Sequence, residues 1–292
     1  MHVNLTESRI LITGANGMLA ADVIDALRSA GAVHLTLTDR DELDILDAEA
    51  VNTAVAVADL VINCAAYTAV DPAEENEDLA FAINATGPAN LAAACAASGS
   101  HLVHISTDYV FAGDATEPYA EDAPMAPQGA YGRTKAAGET AVRDSGADAL
   151  ILRTAYLYGR GGPCFPKTIA KAGKARGALT VVDDQIGQPT WTRDVAAFIL
   201  RLLEADAPAG TYHATSAGQC SWFDFAREIV ASAGLGDIVS PTDSSSYAAK
   251  APRPAWSVLG HAGNESIGVE GLGDWRERWL KAAPEVLAGV LD

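Results

Sequence analysis

Apolar and polar positions alternate in blocks along the first half of the chain. Residues 9–13, Arg-Ile-Leu-Ile-Thr, form a short β-branched run that stops at Gly14, as a buried strand does. From residue 17 to residue 30 apolar side chains recur at Leu19, Val23, Ala26 and Leu27, the spacing of one helical face. The alternation continues with strand-like runs at 34–38, 59–66, 101–105 and 149–153 and a helix over 131–144, which predicts a doubly wound α/β arrangement on a parallel sheet. Beyond about residue 155 the order is less regular. Residues 159–166 and 240–254 are rich in Gly, Pro and Ser and read as loops of the kind that line binding sites, while 194–203 reads as a helix returning to the first domain. At 292 residues the chain exceeds the usual single-core size, so a large domain over 1–155 and a smaller lobe over 156–292 are expected. The alanine-rich composition is spread along the chain, without internal repeats or low-complexity tracts.

The turn after the first strand carries chemistry. Gly14-Ala15-Asn16-Gly17-Met18-Leu19-Ala20 has the G-x-x-G-x-x-G/A spacing between a strand and a helix, where glycines permit a tight turn and the helix N-terminus offers free N–H groups to a pyrophosphate. The second strand ends at Asp39, twenty-five residues after Gly14, where a carboxylate can bond an adenosine ribose. These features make the expected fold α/β, a doubly wound Rossmann-type parallel sheet with a smaller C-terminal substrate lobe. Arg40 follows Asp39 at once, and a guanidinium accepts a 2′-phosphate as readily as a carboxylate accepts a free 2′-hydroxyl, so both NADPH and NADH are expected to bind. Asp44 and Ile45 flank the expected adenine position. The third strand ends in Ala65 and Ala66, small residues that let a dinucleotide approach.

Tyr131 and Lys135 stand four apart on the helix after the fourth strand, so both project from one face. A phenol titrates near pH ~10, and a neighbouring ammonium favours the phenolate, which brings the group towards the range of efficient proton transfer. Tyr-x-x-x-Lys recurs by chance on surface helices; here the glycine turn and Ser106-Thr107-Asp108 at a strand's carboxyl end supply the context. In this reading Tyr131 donates a proton to a substrate carbonyl, the Thr107 hydroxyl polarises the same oxygen, Lys135 holds the nicotinamide ribose, and the cofactor supplies hydride.

Charge and composition narrow the partners. The formal net charge of −18 opposes nucleic-acid binding, which rests on Lys and Arg neutralising phosphates. An anionic substrate then needs local cations, and the candidates are Lys167, which opens the basic run 167–176, and Arg253, held between Pro252 and Pro254. Cys64, Cys95, Cys164 and Cys220 form no C-x-x-C pair, which argues against zinc and disulfides and fits reduced thiols. No apolar run approaches the roughly 20 residues of a membrane span, and the polar N-terminus reads as no signal peptide; a soluble cytoplasmic protein, monomer or homodimer, is expected.

Five segments carry a family likeness: Asn63-Cys64-Ala65-Ala66-Tyr67-Thr68-Ala69-Val70-Asp71, Ser106-Thr107-Asp108-Tyr109-Val110-Phe111, Tyr131-Gly132-Arg133-Thr134-Lys135, Arg153-Thr154-Ala155-Tyr156-Leu157-Tyr158-Gly159 and Asp184-Gln185-Ile186-Gly187-Gln188-Pro189-Thr190. Together they resemble the dTDP-4-dehydrorhamnose reductases, within the extended short-chain dehydrogenases, over most of the chain. The resemblance implies that Gly14, Asn16, Gly17, Met18, Leu19, Asp39, Asp44, Ile45, Ala66 and Tyr67 line the dinucleotide. It also implies that Thr107, Tyr131 and Lys135 are catalytic and that Thr68, Val70, Asp108 and Tyr156 contact a nucleotide-diphosphate sugar. Two positions depart from the family: Tyr156 stands where Trp is frequent, and Pro252 replaces the first arginine of an Arg-Arg-Pro pattern. Some members form dimers bridged by magnesium through glutamates; Arg193 occupies one such place, and a cation cannot ligate a cation, so no bridging metal is expected. Tyr109 stands where 4,6-dehydratases carry a catalytic Glu, which disfavours dehydration. The same motifs occur in antibiotic-pathway ketoreductases such as dihydrostreptose synthases. A non-catalytic relative, the regulatory subunit of methionine adenosyltransferase, would have no use for a matched acid and cation.

Overall fold

A computed structural model describes residues 3–246 and 249–290. In chain order the first domain contains β1 (Ile10–Thr13), α1 (Met18–Ser29), β2 (Leu35–Thr38), α2 (Ala48–Val55), β3 (Leu60–Asn63), α3 (Glu77–Ser98), β4 (His101–Thr107), α4 (Ala130–Asp144) and β5 (Ala149–Thr154). The remainder contains α5 (Phe165–Arg176), α6 (Thr192–Glu204), β6 (Gly210–His213), α7 (Trp222–Ser232) and α8 (Trp275–Val286). The six strands form one parallel sheet in the order β6-β5-β4-β3-β1-β2. The chain crosses from β2 to the far side of β1 when it enters β3. That reversal opens a crevice at the carboxyl edge between β1 and β3, the ligand position of doubly wound sheets.

Two-residue periodicity assigns the faces. Ile10 and Ile12 join Leu19, Val23 and Leu27 of α1 and Val195, Phe198, Ile199 and Leu202 of α6 in one core. Leu11, between them, joins Val51 and Val55 of α2, Leu91 and Cys95 of α3 and Val142 of α4 on the opposite face. Each such buried side chain contributes about 1.5–3 kcal/mol of transfer free energy, which fixes the strand register and with it the row of residues at the carboxyl edge. Thr13 pairs with Thr38 and Asn63, Asn63 pairs with His104, and Thr107 pairs with Thr154.

After residue 155 the chain returns to the first core more often than the sequence predicts. Helix α6 begins at Thr192, two residues before the expected 194, and packs on α1. Strand β6, absent from the expectation, pairs with β5 through Tyr212↔Leu152 and His213↔Arg153, and Val269 and Leu272 also join this core. A second core is built from Tyr158, Ile169, Trp191, Phe225, Ile229, Trp279 and Val286, around α5, α7 and α8. Helix α3 is just long and apolar enough to meet the criteria of a membrane span, but half of that apolar window is buried inside the fold, as in a core helix. It contains a π-helical turn over Ala82–Thr86 that carries the fully buried Asn84.

Candidate active site

The glycine turn is shaped by contact with the end of β3. Gly14 has φ +66°, and a Cβ there would come within 2.7 Å of the Ala65 Cα and N, so only glycine supplies both the conformation and the room. Gly17 caps α1 in an extended conformation without any side-chain hydrogen bond to the helix, leaving the first-turn N–H groups for an anion. Asp39 Oδ2 accepts the Asn16 N–H at 3.3 Å and Oδ1 accepts the Arg40 N–H at 2.8 Å, so the acid is fixed against the turn. Beneath it, Asn63 Oδ1 accepts from the Thr13 hydroxyl (2.7 Å) and from the Ala65 N–H (3.1 Å). Its amide lies 3.0 Å from His104 Nδ1, and burial, then Lys135, pushes the His104 pKa well down, so this imidazole is neutral.

The crevice over this turn encloses about 300 Å³. Of the expected cofactor residues, Gly14, Gly17, Asp39, Arg40, Asp44, Ile45, Ala65 and Ala66 line it. Leu19 instead gives its side chain to the core, leaving only a backbone N–H for a ligand. Asn16 is exposed on the turn; Met18 lies under Gly161, whose Cβ would stand 3.4 Å from the Met18 Cα. Tyr67 packs with Ala73, Ala80, Ala130 and Tyr131. Leu43, Leu46, Leu79 and Ile83 form an apolar wall that sequence reasoning missed, although the first two bracket Asp44-Ile45.

Helix α4 is pressed deep into the domain through two glycines. A Cβ at Gly132 would meet the Tyr109 carbonyl at 2.2 Å, and one at Gly138 the Asn84 carbonyl at 2.1 Å. Glu74 Oε1 accepts the Ala130 N–H at 2.8 Å, an acid placed favourably at a helix N-terminus. Asn84 clasps both main-chain groups of Tyr67 (2.8 and 3.0 Å) and donates to the Thr134 hydroxyl at 3.1 Å. One turn further, the buried Glu139 receives Arg153 from β5 at 2.9 and 2.7 Å and Ser106 from β4 at 2.5 Å. These bonds hold α4 against the strand ends and thereby place Tyr131 and Lys135.

Lys135 is 2% exposed, and its Nζ donates to the Ile105 carbonyl at 2.6 Å. Burial lowers its pKa to about 8 against the raising influence of Glu139. Burial pushes the Tyr131 phenol up to about 12, with the Asp108 charge adding to the rise and the nearby Thr107 hydroxyl opposing it. The expectation that Lys135 depresses this phenol is therefore corrected: the ammonium is turned to the Ile105 carbonyl, and loss of water dominates at Tyr131. The phenol is fully protonated at neutral pH, the form a proton donor requires. Thr107 Oγ1 donates to Asp108 Oδ1 at 2.9 Å, and Tyr109 stands edge-on to Tyr131 with ring centroids 5.8 Å apart.

On the lobe side, Asp108 is buried with Oδ2 unpartnered; burial raises its pKa to about 6, held back by Ser257 and Thr107. Ser257, buried beside it, was not read from the sequence, where nothing in its local pattern marks it. Tyr156 has φ +45°, a left-handed conformation that costs a tyrosine about 1–3 kcal/mol. Thr68 is exposed and Val70 half-buried at the start of the short helix Val70–Ala73. The two expected phosphate-binding cations are not brought together. Arg253 pairs with Asp71 at 2.9 Å and its charge is felt by Tyr109, whereas Lys167 donates to the Arg160 and Gly162 carbonyls at 2.6 and 2.8 Å, in the loop that covers Met18. Arg193 is paired with Glu285 at 2.8 Å.

A parallel sheet with a glycine turn at its switch point, and a Tyr-x-x-x-Lys helix pressed against a strand-end threonine, define an extended short-chain dehydrogenase/reductase. Within that class the chain belongs to the RmlD substrate binding domain family, whose profile matches residues 8–287. It is 45% identical to a probable dTDP-4,6-dihydroxy-2-methyloxan-3-one 4-ketoreductase of Streptomyces antibioticus, covering 96% of each chain. To a dTDP-4-dehydrorhamnose reductase of Mycolicibacterium smegmatis it is 42% identical over 99% of this chain and 89% of that one. Among solved structures, a dTDP-4-dehydrorhamnose reductase of Bacillus anthracis in complex with NADP superposes with a TM-score of 0.90 at 38% identity, covering 94% of this chain and 98% of that one.

Proposed function

We propose that this protein is an NADPH- or NADH-dependent oxidoreductase that reduces the 4-keto group of a dTDP-activated deoxysugar, converting dTDP-4-dehydro-L-rhamnose to dTDP-L-rhamnose. The observation that carries this reading is the convergence of Thr107, Tyr131 and Lys135 at the carboxyl edge of the sheet, beside the crevice over Gly14. The residues present fit a dinucleotide: Gly14 and Gly17 line the crevice without side chains, and the uncapped α1 N-terminus suits a pyrophosphate. The bound cofactor supplies a hydride. Tyr131 gives its proton to the developing alkoxide, the Thr107 hydroxyl, turned from Asp108 to the substrate, polarises the carbonyl oxygen, and the buried ammonium of Lys135 holds the ribose. Asp39 and Arg40 both line the crevice, one suited to a 2′-hydroxyl and the other to a 2′-phosphate, which supports use of both cofactors.

The Streptomyces antibioticus relative supports a second reading, an antibiotic-pathway 4-ketoreductase. Both readings make the protein a cytoplasmic enzyme of small-molecule metabolism, acting as a monomer or homodimer without nucleic acid or membrane. A non-catalytic binding subunit has no use for an ammonium buried at the cofactor site. The test is NADPH and NADH oxidation across a panel of nucleotide-activated 4-keto sugars, with product stereochemistry determined. Turnover with dTDP-4-dehydro-L-rhamnose giving the L-rhamno product is expected; preference for another 4-keto sugar selects the second reading, and no turnover with any of them overturns both.

A further inference from the structure

Tyr156, in its left-handed conformation, is packed between close neighbours. One face of its ring lies on the indole of Trp222, with centroids 3.7 Å apart and planes 12° from parallel. Gly187 lies against the ring as well, so close that a Cβ there would stand 2.5 Å from the Tyr156 Cζ. Both jaws come from one antiparallel ribbon in which Cys220 pairs with Gly187 and Ser221 with Ile186. Trp222 follows Ser221 directly as the first residue of α7, and the Ser221–Asp224 capping box fixes where that helix starts. Phe165 braces the indole from behind, 4.4 Å between centroids. Around the phenol so held, Tyr109, Asp108, Cys220 and Ser257 all act on its acidity, and Tyr109 in turn stands edge-on to Tyr131.

We propose that Trp222 is a positioning residue for the reaction: with Gly187 it clamps Tyr156 so that the phenol stands at the sugar end of the site, and it acts on the nucleotide-sugar only through that tyrosine. This rests on the 4-ketoreductase reading above. A strained side chain keeps its place only when its surroundings over-determine it, and here the surroundings are the indole and the glycine. A displacement of about 1 Å in a group that orients the substrate lowers the rate roughly 100-fold.

The test compares Trp222→Ala, Tyr156→Phe and the double variant by steady-state kinetics with dTDP-4-dehydro-L-rhamnose, together with NADPH affinity by fluorescence titration. Trp222→Ala is expected to lower kcat/KM for the sugar by about 10- to 100-fold with NADPH affinity within about 2-fold, and the double variant is expected to fall no further than the worse single one. Trp222→Phe, which keeps a stacking face, should restore most of the loss. Losses that multiply in the double variant, or equal weakening of NADPH, overturn the proposal. If Trp222→Ala does not fold, Gly187→Ala provides the same decision: its Cβ would stand 2.5 Å from the Tyr156 Cζ and displace the ring, and normal sugar kinetics in that variant overturn the clamp. Independently of turnover, a crystal structure of either variant should show Tyr156 displaced; an unmoved ring overturns the proposal even where the wild type reduces none of the sugars.

Discussion

Tyr131 and Lys135 illustrate what four-residue spacing does and does not decide. The spacing places both on one face of α4, but their surroundings come from far away in the sequence, Ile105 accepting from Lys135 and Thr107 lying near the Tyr131 phenol. A motif therefore shows which residues meet, while burial decides their protonation. Tyr131→Phe is expected to retain dinucleotide binding and to lower kcat by about 10²–10⁴-fold, the usual worth of a general acid; near-normal turnover would move the proton donor elsewhere. Asp108 gives a pH-dependent expectation. Its folded pKa, raised to about 6 mainly by burial, lies above the unfolded carboxyl value near 3.9. A raised acid favours the folded form below the unfolded value, and that contribution is lost as pH rises through the folded value. Above about pH 6 the buried carboxylate is a burden, so Asp108→Asn should raise Tm at pH 7.5 and leave it little changed at pH 4. An equal shift at both values would mean that packing, rather than titration, explains the difference.

At the scale of elements, the first five strands, α1 and α4 were legible because their apolar residues keep a clear period over an uninterrupted run, as Ile10 and Ile12 against Leu11 show. Strand β6 was not legible: Gly210-Thr211-Tyr212-His213 has too few apolar residues, and its burial comes from β5 and Asn264, whose amide donates to the His213 carbonyl at 2.9 Å. The Ile186–Gly187 and Cys220–Ser221 strands are two residues each, shorter than any period can register, so their ribbon is visible only in three dimensions. The glycine turn was fully legible because backbone conformation itself demands the residue type. Gly14→Ala combines a φ of +66° with a Cβ 2.7 Å from Ala65 and is expected to weaken dinucleotide binding by at least about tenfold, as the turn opens and a phosphate contact of about 1.5–3 kcal/mol is lost. Titration of NADPH fluorescence checks this; unchanged affinity would remove the turn from the cofactor site.

Over the whole molecule, a net charge of −18 sets an average field that repels a dianionic nucleotide-sugar. Local cations must overcome it. Arg253 is tied to Asp71, whose Oδ1 also accepts the Ala251 N–H at 3.1 Å, so the loop carrying it is strapped to the Val70–Ala73 helix. Composition alone showed the problem, but the pairing of Arg253 with a carboxylate 182 positions earlier lies beyond any local pattern. Losing one charge-assisted phosphate contact removes about 1.5–3 kcal/mol, so Arg253→Ala should raise the nucleotide-sugar KM by roughly one to two orders of magnitude while leaving the dinucleotide KM nearly unchanged. Equal weakening of both ligands would give Arg253 a role in the fold instead.

The central claim is that hydride passes from a dinucleotide over Gly14 to the sugar carbonyl beside Tyr131. Isotope transfer tests it most directly: NADPH carrying deuterium at both nicotinamide C4 positions is supplied with dTDP-4-dehydro-L-rhamnose, and the product is read by mass and proton NMR. The account predicts one deuterium, at C4 of an L-rhamno sugar, and about 10²–10⁴-fold less labelled product in the same time when Tyr131→Phe replaces the wild type. Deuterium at another carbon, or an unlabelled product, would contradict it.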